Sequence, residues 1–440
     1  MNVNFAERAH NHNWKLDPIV RSLLDTDFYK LLMLQFIWKN YPNVHVTSEV
    51  TNRTVKVRLA ERVGAAPLVE QLEHVRGLRY RRSELVWLAG NTFYGTRTIF
   101  QGEFLEWLER DFKLSEYTVS EEDGQLVLRF SGLWTEVTMW EVYALAIVSE
   151  LKTRAALAEL SELELDVLYA RAKTRLWDKL EMLRAVDGLS ISDFGTRRRH
   201  SFLWHEYAVQ AIGVSLNAGG AERFAGTSNT ALAYKHDLEA IGTNAHELPM
   251  ALAAMASAGS DEELRASQYR VLELWQQSYG GALLIMLPDT FGTTQFLAGA
   301  PEWAADWTGQ RMDSKDPMVA GDEYIAWLTG RGRDARNKRL IASDGLDVEQ
   351  IIELHKYFEG RIRFSAGWGT LLTNDFRGCH PRGWDTLEPL SLVCKLKTVE
   401  GRPAVKLSDN LRKATGPVEE IERYRRVFGS AATEGAEVLV

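Results

Sequence analysis

The chain has 440 residues, with 52 basic and 60 acidic side chains and a formal charge of −8. That length suits two or three domains around a large core, and the mild acidity excludes a dedicated nucleic-acid binder, which would carry a basic stripe. Cys379 and Cys394 lack CxxC spacing, which argues against a disulfide framework or structural zinc and for a reducing, cytoplasmic setting. No apolar run reaches the ~18 residues of a membrane helix, and residues 1–15 are polar, without a signal-peptide core.

Residues 1–15 read as a flexible tail and 16–135 as an N-terminal α+β domain. Phe28–Trp38 has helical i, i+3, i+4 spacing. Val44–Val57 alternates and is rich in Val and Thr, which predicts a strand. Gly102–Lys113 is an amphipathic helix, and Tyr117–Phe130 a hairpin turning at Asp123-Gly124. Trp134–Leu160 reads as one long helix leading into a second domain over 136–375, where strands and helices alternate. There Ser260 and Glu263 form a capping box for a helix that runs to Tyr279. Ala282–Leu287 is expected as a strand, Asp322–Leu328 as a helix, Arg339–Ala342 as a strand, Val348–Phe358 as a helix and Arg361–Ala366 as a strand. Such βα spacing fits a barrel. Residues 376–440 are expected to pack back on the first domain.

Seven short apolar runs between 190 and 370 end in small or charged tips, among them Asp193-Phe194-Gly195-Thr196-Arg197, Gly226-Thr227-Ser228-Asn229 and Asp289-Thr290-Phe291-Gly292-Thr293. Active sites of parallel barrels are built from such strand ends. Gly and Thr suit phosphate, Asp suits metal and hydroxyl groups, and Arg suits anions, so the mixture points to an enzyme acting on a phosphorylated sugar.

Leu24-Asp25-Thr26-Asp27-Phe28-Tyr29-Lys30, Asp193 to Arg199, Gly226-Thr227-Ser228-Asn229, Gly242-Thr243-Asn244-Ala245-His246-Glu247 and Lys406-Leu407-Ser408-Asp409 together resemble the nicotinate phosphoribosyltransferase family, in order, from about residue 22 to 415. The resemblance implies a type II phosphoribosyltransferase fold: an irregular, TIM-like α/β barrel with a second α+β domain built from both chain ends. It implies transfer of phosphoribose from phosphoribosyl pyrophosphate to nicotinate in NAD salvage. ATP would be a co-substrate through a phosphorylated histidine. Sites would be shared in a homodimer, with Tyr29 reaching the ring from the partner subunit.

On that resemblance His246 is the candidate phosphoacceptor, oriented by Glu247 or another carboxylate, and Asp313 a second catalytic group. Asp289 and Asp313 are candidates to hold Mg2+, which prefers oxygen ligands. Gly367, Gly369 and Thr370 offer backbone N–H groups to the 5′-phosphate, and Asp344 accepts from ribose hydroxyls. Phe194 and Tyr29 would sandwich the pyridine ring while Arg197 forks its carboxylate. Thr227, Ser228 and Arg311 complete the candidate contacts, Ser228 by avoiding repulsion of an acid. At least one of Arg197, Arg198 and Arg199 is expected to be a solvated surface charge.

Two departures stand out. Met312 replaces a histidine of the family's usual tip and Lys315 a glycine. Lys315 is expected to contact the substrate's phosphates. The departures keep alternatives open: a weakened relative that senses nucleotide or phosphoribosyl ligands, or a transferase for another pyridine.

Overall fold

The computed structural model describes residues 14–93, 97–343 and 345–429. Among these, thirteen strands follow in chain order: β1 (His45–Asn52), β2 (Thr92–Phe93), β3 (Arg97–Thr98), β4 (Glu116–Glu122), β5 (Gln125–Leu133), β6 (Ile191–Asp193), β7 (Phe224–Thr227), β8 (Ile285–Met286), β9 (Gly309–Met312), β10 (Arg339–Ala342), β11 (Arg363–Trp368), β12 (Leu392–Val399) and β13 (Arg402–Pro403).

β6 to β11 form a parallel sheet in the order β7-β6-β11-β10-β9-β8. Chain neighbours lie side by side, except that β6 meets β11. That is the order of a barrel with one seam between β7 and β8. A single parallel bridge, Thr227 to Ala240, extends the β7 side of the seam. Among the described residues no strand pair closes it. Helices Phe202–Leu216, Pro317–Gly330 and Val348–Phe358 make crossovers, which return each strand in the same direction. All the C-terminal tips therefore share one edge.

The second sheet is antiparallel, in the order β13-β12-β1-β5-β4. β12 pairs with β1 along its length, so chain segments about 340 residues apart complete one sheet. The β4–β5 turn has left-handed backbone at Asp123 and Gly124, with φ of 50° and 74°, as a tight hairpin requires. Helix Phe28–Asn40 is buried from Phe28 through Ile37.

Local chemistry set several boundaries. Asp347 and Gln350 cap helix Val348–Phe358 reciprocally, and Ser260 with Glu263 does the same for Asp261–Ser278. The helix expected over Trp134–Leu160 is two, Trp134–Val137 and Trp140–Leu157. The strand expected over Ala282–Leu287 shrinks to β8, because Gly281–Leu283 turns as a 3-10 helix and the Thr308 hydroxyl donates to the Gly281 carbonyl at 2.6 Å. Beyond β13 the chain leaves the antiparallel sheet. Helix Val418–Phe428 shares a small core with Leu264, Phe291, Val405 and Leu407, and Arg265 donates to the Val427 carbonyl at 2.8 Å. At the other end Trp14 is buried against Tyr169 and Trp204. No helix among the described residues is long and apolar enough to cross a membrane.

Candidate active site

A cleft of about 220 Å³ opens at the tip edge of the parallel sheet. Tyr29, Phe194, Arg197, His246, Arg311, Asp313, Gly369 and Thr370 line it, with contributions from β1 and β12.

His246 occupies one corner. Its Nδ1 lies 2.9 Å from the Thr290 hydroxyl and its Nε2 lies 2.9 Å from Asp313 Oδ2. Burial tends to raise the Asp313 carboxyl, but the His246 hydrogen bond and the Lys406 ammonium bring it well below the usual carboxylate range. An ionised carboxylate can only accept, so Nε2 carries the proton and Nδ1 holds the lone pair. Burial, and then Lys406, lower the imidazole pKa, which favours the neutral ring. Glu247 does not orient it: that carboxylate takes Lys30 and the Trp134 indole, both at 2.6 Å.

Asp289 lies beside this corner, buried. Its Oδ2 accepts from the Ser314 hydroxyl at 2.6 Å, whereas its Oδ1 has no hydrogen-bond partner. Ligand atoms of His246, Asp289 and Asp313 lie within 4.8 Å of one another. An orphaned carboxylate oxygen beside a second carboxylate fits a divalent cation held by oxygen.

Phe194 and Arg197 form the other corner. The Asp193 tip beneath them is rigid: its carboxylate accepts from Gly195 N, His205 Nε2 and the Thr227 hydroxyl at 2.8, 2.7 and 2.6 Å. Gly367 sits in β11, and a Cβ there would come within 2.3 Å of the Phe194 ring. Its bareness thus makes room for Phe194, while Gly369 and Thr370 face the cleft at the start of a short helix. Arg197 Nη1 meets Glu141 at 3.2 Å and its Nε lies 3.5 Å from Asp27.

Several expectations change. The three arginines split: Arg197 enters the cleft, Arg198 donates to the Leu392 carbonyl, and Arg199 forms a buried two-pronged pair with Asp25 at 2.6 and 2.7 Å. None is an unengaged surface charge. Tyr29 lines the same cleft as Arg197 of its own chain, because the N-terminal segment docks on the β7 tip through Phe28 N to Ser228 O at 2.7 Å. It needs no partner subunit to arrive. Thr227 and Ser228 lie behind the wall, Ser228 donating to Asp27 at 2.7 Å. Lys315 points away, to Glu323 at 2.6 Å and the Thr294 hydroxyl at 3.0 Å. Met312 is buried in the core. Asp344 lies outside the described residues.

The model of the nicotinate phosphoribosyltransferase (NAPRTase) family matches residues 189–432. The chain belongs to the nicotinate phosphoribosyltransferase family. The family's N-terminal domain matches residues 24–149. Crystal structures of nicotinate phosphoribosyltransferases share the fold. The protein from Vibrio cholerae is 31% identical, with TM-score 0.83 over 95% of this chain and 96% of that one. The protein from Porphyromonas gingivalis is 29% identical, with TM-score 0.79 over 93% and 100%. Family membership agrees with the parallel sheet and the second, antiparallel one described above.

The cleft also contains groups that strand-tip motifs do not reveal. Glu141 and Glu247 line it, as do Ser48 within β1, Arg53 just past that strand's end, Lys395 of β12, and Lys406 and Lys413 from beyond β13. Lys406 lies 3.7 Å from Asp313 and 3.9 Å from Asp289. The Lys30 ammonium is buried between Glu141 and Glu247, 2.6 Å from each.

Proposed function

We propose that the protein transfers phosphoribose from phosphoribosyl pyrophosphate to nicotinate, yielding nicotinate mononucleotide and pyrophosphate, and couples the transfer to ATP hydrolysis through His246. The observation that supports this most is the polarity of the cleft in a chain of this family. One corner carries a neutral imidazole beside two carboxylates and a cationic rim. The other carries an aromatic ring and a guanidinium.

Pyrophosphate departure leaves an oxocarbenium-like ribose, so catalysis rests on positioning and charge stabilisation. Arg53, Arg311, Lys406 and Lys413 supply positive charge for polyanions along the rim, while burial and then Lys406 push the Lys395 amine well below the usual lysine range. Phe194 offers a ring face and Arg197 a planar fork for a carboxylate. For phosphoryl transfer, the Nδ1 lone pair attacks the γ-phosphorus of ATP as ADP departs, and the Nε2 proton stays on its bond to Asp313. The Thr290 hydroxyl must turn away to free Nδ1. Asp289 and Asp313 would hold magnesium, which supplies charge neutralisation for the phosphates when bound. The enzyme would work in the cytoplasm, as a homodimer.

The departures that motivated a sensor reading lie off the cleft, Lys315 half-buried in its pair with Glu323 and Met312 in the core. A steady-state assay of nicotinate mononucleotide formation, with and without ATP, tests the proposal. His246→Ala should abolish ATP hydrolysis and acid-labile phosphorylation while some ATP-independent synthesis survives. Labelled phosphate still appearing on that variant would move the acceptor elsewhere.

A further inference from the structure

We propose that Lys30 sets the charge of the pocket that receives the pyridine substituent, and so decides the preference for an acid over its neutral amide. This rests on the function proposed above.

Lys30 sits in the first turns of helix Phe28–Asn40 and has no exposed surface. Burying an ammonium costs several kcal/mol unless it is paired. Here it meets Glu141 and Glu247 at 2.6 Å each and the Thr138 hydroxyl at 3.4 Å. All three partners line the cleft, so the ammonium lies directly behind the wall. It is also 5.7 Å from the centre of the Tyr29 ring, which itself lines the cleft. Arg197 completes the chain of charges through Glu141 at 3.2 Å.

The balance of the wall follows. Arg197 and Lys30 are positive, Glu141 and Glu247 negative, and the four cancel. Burial would raise the Glu141 carboxyl, but Lys30 and then Arg197 hold it down to about 2, so its charge is fixed near neutral pH. Asp27 stands behind Arg197, and burial pushes its carboxyl up. Remove the Lys30 charge and the two glutamates outweigh Arg197. A carboxylate substrate would then enter a net negative pocket, whereas an amide would feel little difference. A lysine that only held the helices together would affect both substrates alike.

The test uses four full-length proteins: wild type, Lys30→Met, Glu141→Gln and the double variant. For each, kcat/KM is measured with nicotinate and with nicotinamide. Lys30→Met should lower the nicotinate-to-nicotinamide ratio about ten-fold, the scale of one unit charge acting across a partly buried site. Glu141→Gln should raise the ratio by several fold, and the double variant should return it near the wild-type value. Should Lys30→Met fail to fold, Glu141→Gln decides on its own. A ratio within two-fold of wild type in Glu141→Gln, or equal losses with both substrates, overturns the proposal. A wild type that makes no mononucleotide from nicotinate overturns instead the function on which it rests.

Discussion

The two corners of the cleft are built from the same kinds of charge and use them oppositely. Around Arg197 every charge is matched: Lys30 by two glutamates, Glu141 by two cations. Around His246 the matching is incomplete. Asp289 Oδ1 is buried without a hydrogen-bond partner, and Lys406 stands 3.7–3.9 Å from its carboxylates, too far for a hydrogen bond. A closed network keeps one charge and one shape and suits recognition. An open one tolerates a change of charge and suits chemistry in which a phosphoryl group comes and goes.

The contrast can be broken most forcefully with acid. Glu141 is held at about 2 against an ordinary value near 4.5. A depressed carboxyl contributes stability that is complete above the unfolded value and is lost as pH falls through the folded one. Between pH 4.5 and 2 the pairing contributes at most about 3 kcal/mol. Urea melts of wild type across that window should steepen relative to Glu141→Gln; parallel pH dependence of the two would mean the network is not closed. Arg197→Ala should next cost nicotinate about 100-fold in kcat/KM, roughly 2.7 kcal/mol, and nicotinamide far less. Equal losses would remove Arg197 from carboxylate recognition.

Smaller effects sharpen the picture. Gly367→Ala puts a methyl group against the Phe194 ring. Overpacking of this kind costs about 1–3 kcal/mol, and the displaced ring should raise KM for nicotinate while leaving ATP hydrolysis near wild type. A calorimetric Tm and the two assays check both halves. Lys315→Gly should change KM for phosphoribosyl pyrophosphate by less than about two-fold, since its pair with Glu323 is worth about 1 kcal/mol or less. A clear rise in KM would bring Lys315 back to the substrate.

Much of this was legible in the chain. The strand Arg339–Ala342 and the helix Val348–Phe358 are found with the expected bounds; the helix start is marked locally by the Asp347 and Gln350 cap. Phe194, Arg197, Arg311 and Asp313 were legible as strand-end residues, and the sheet brings them to one edge; the strand expected before His246 is reduced to the single bridge at Ala240, and His246 stands instead at the N-terminus of helix Glu247–Ala256. Ser228 and Thr227 belong to the same motif language, yet their hydroxyls serve Asp27 and Asp193. A motif fixes where the backbone goes before it fixes which side chain faces a ligand. Lys30, Glu141 and Lys395 were missed because helices and a distant strand deliver them. Lys30 inside Phe28–Trp38, and Glu141 inside Trp140–Val148, are lone charges in apolar helical runs. That anomaly is a usable signal, since such charges stay buried only when paired.

The pairing of β12 with β1 orders events during synthesis. All six parallel strands have been made once residue 368 is in place, yet Lys395, Lys406 and Lys413 are still to come. A growing chain can therefore hold His246, Asp289 and Asp313 while lacking the lysines that complete the rim. A chain cut short between residues 368 and 395 would hold every strand of the parallel sheet and none of these three lysines.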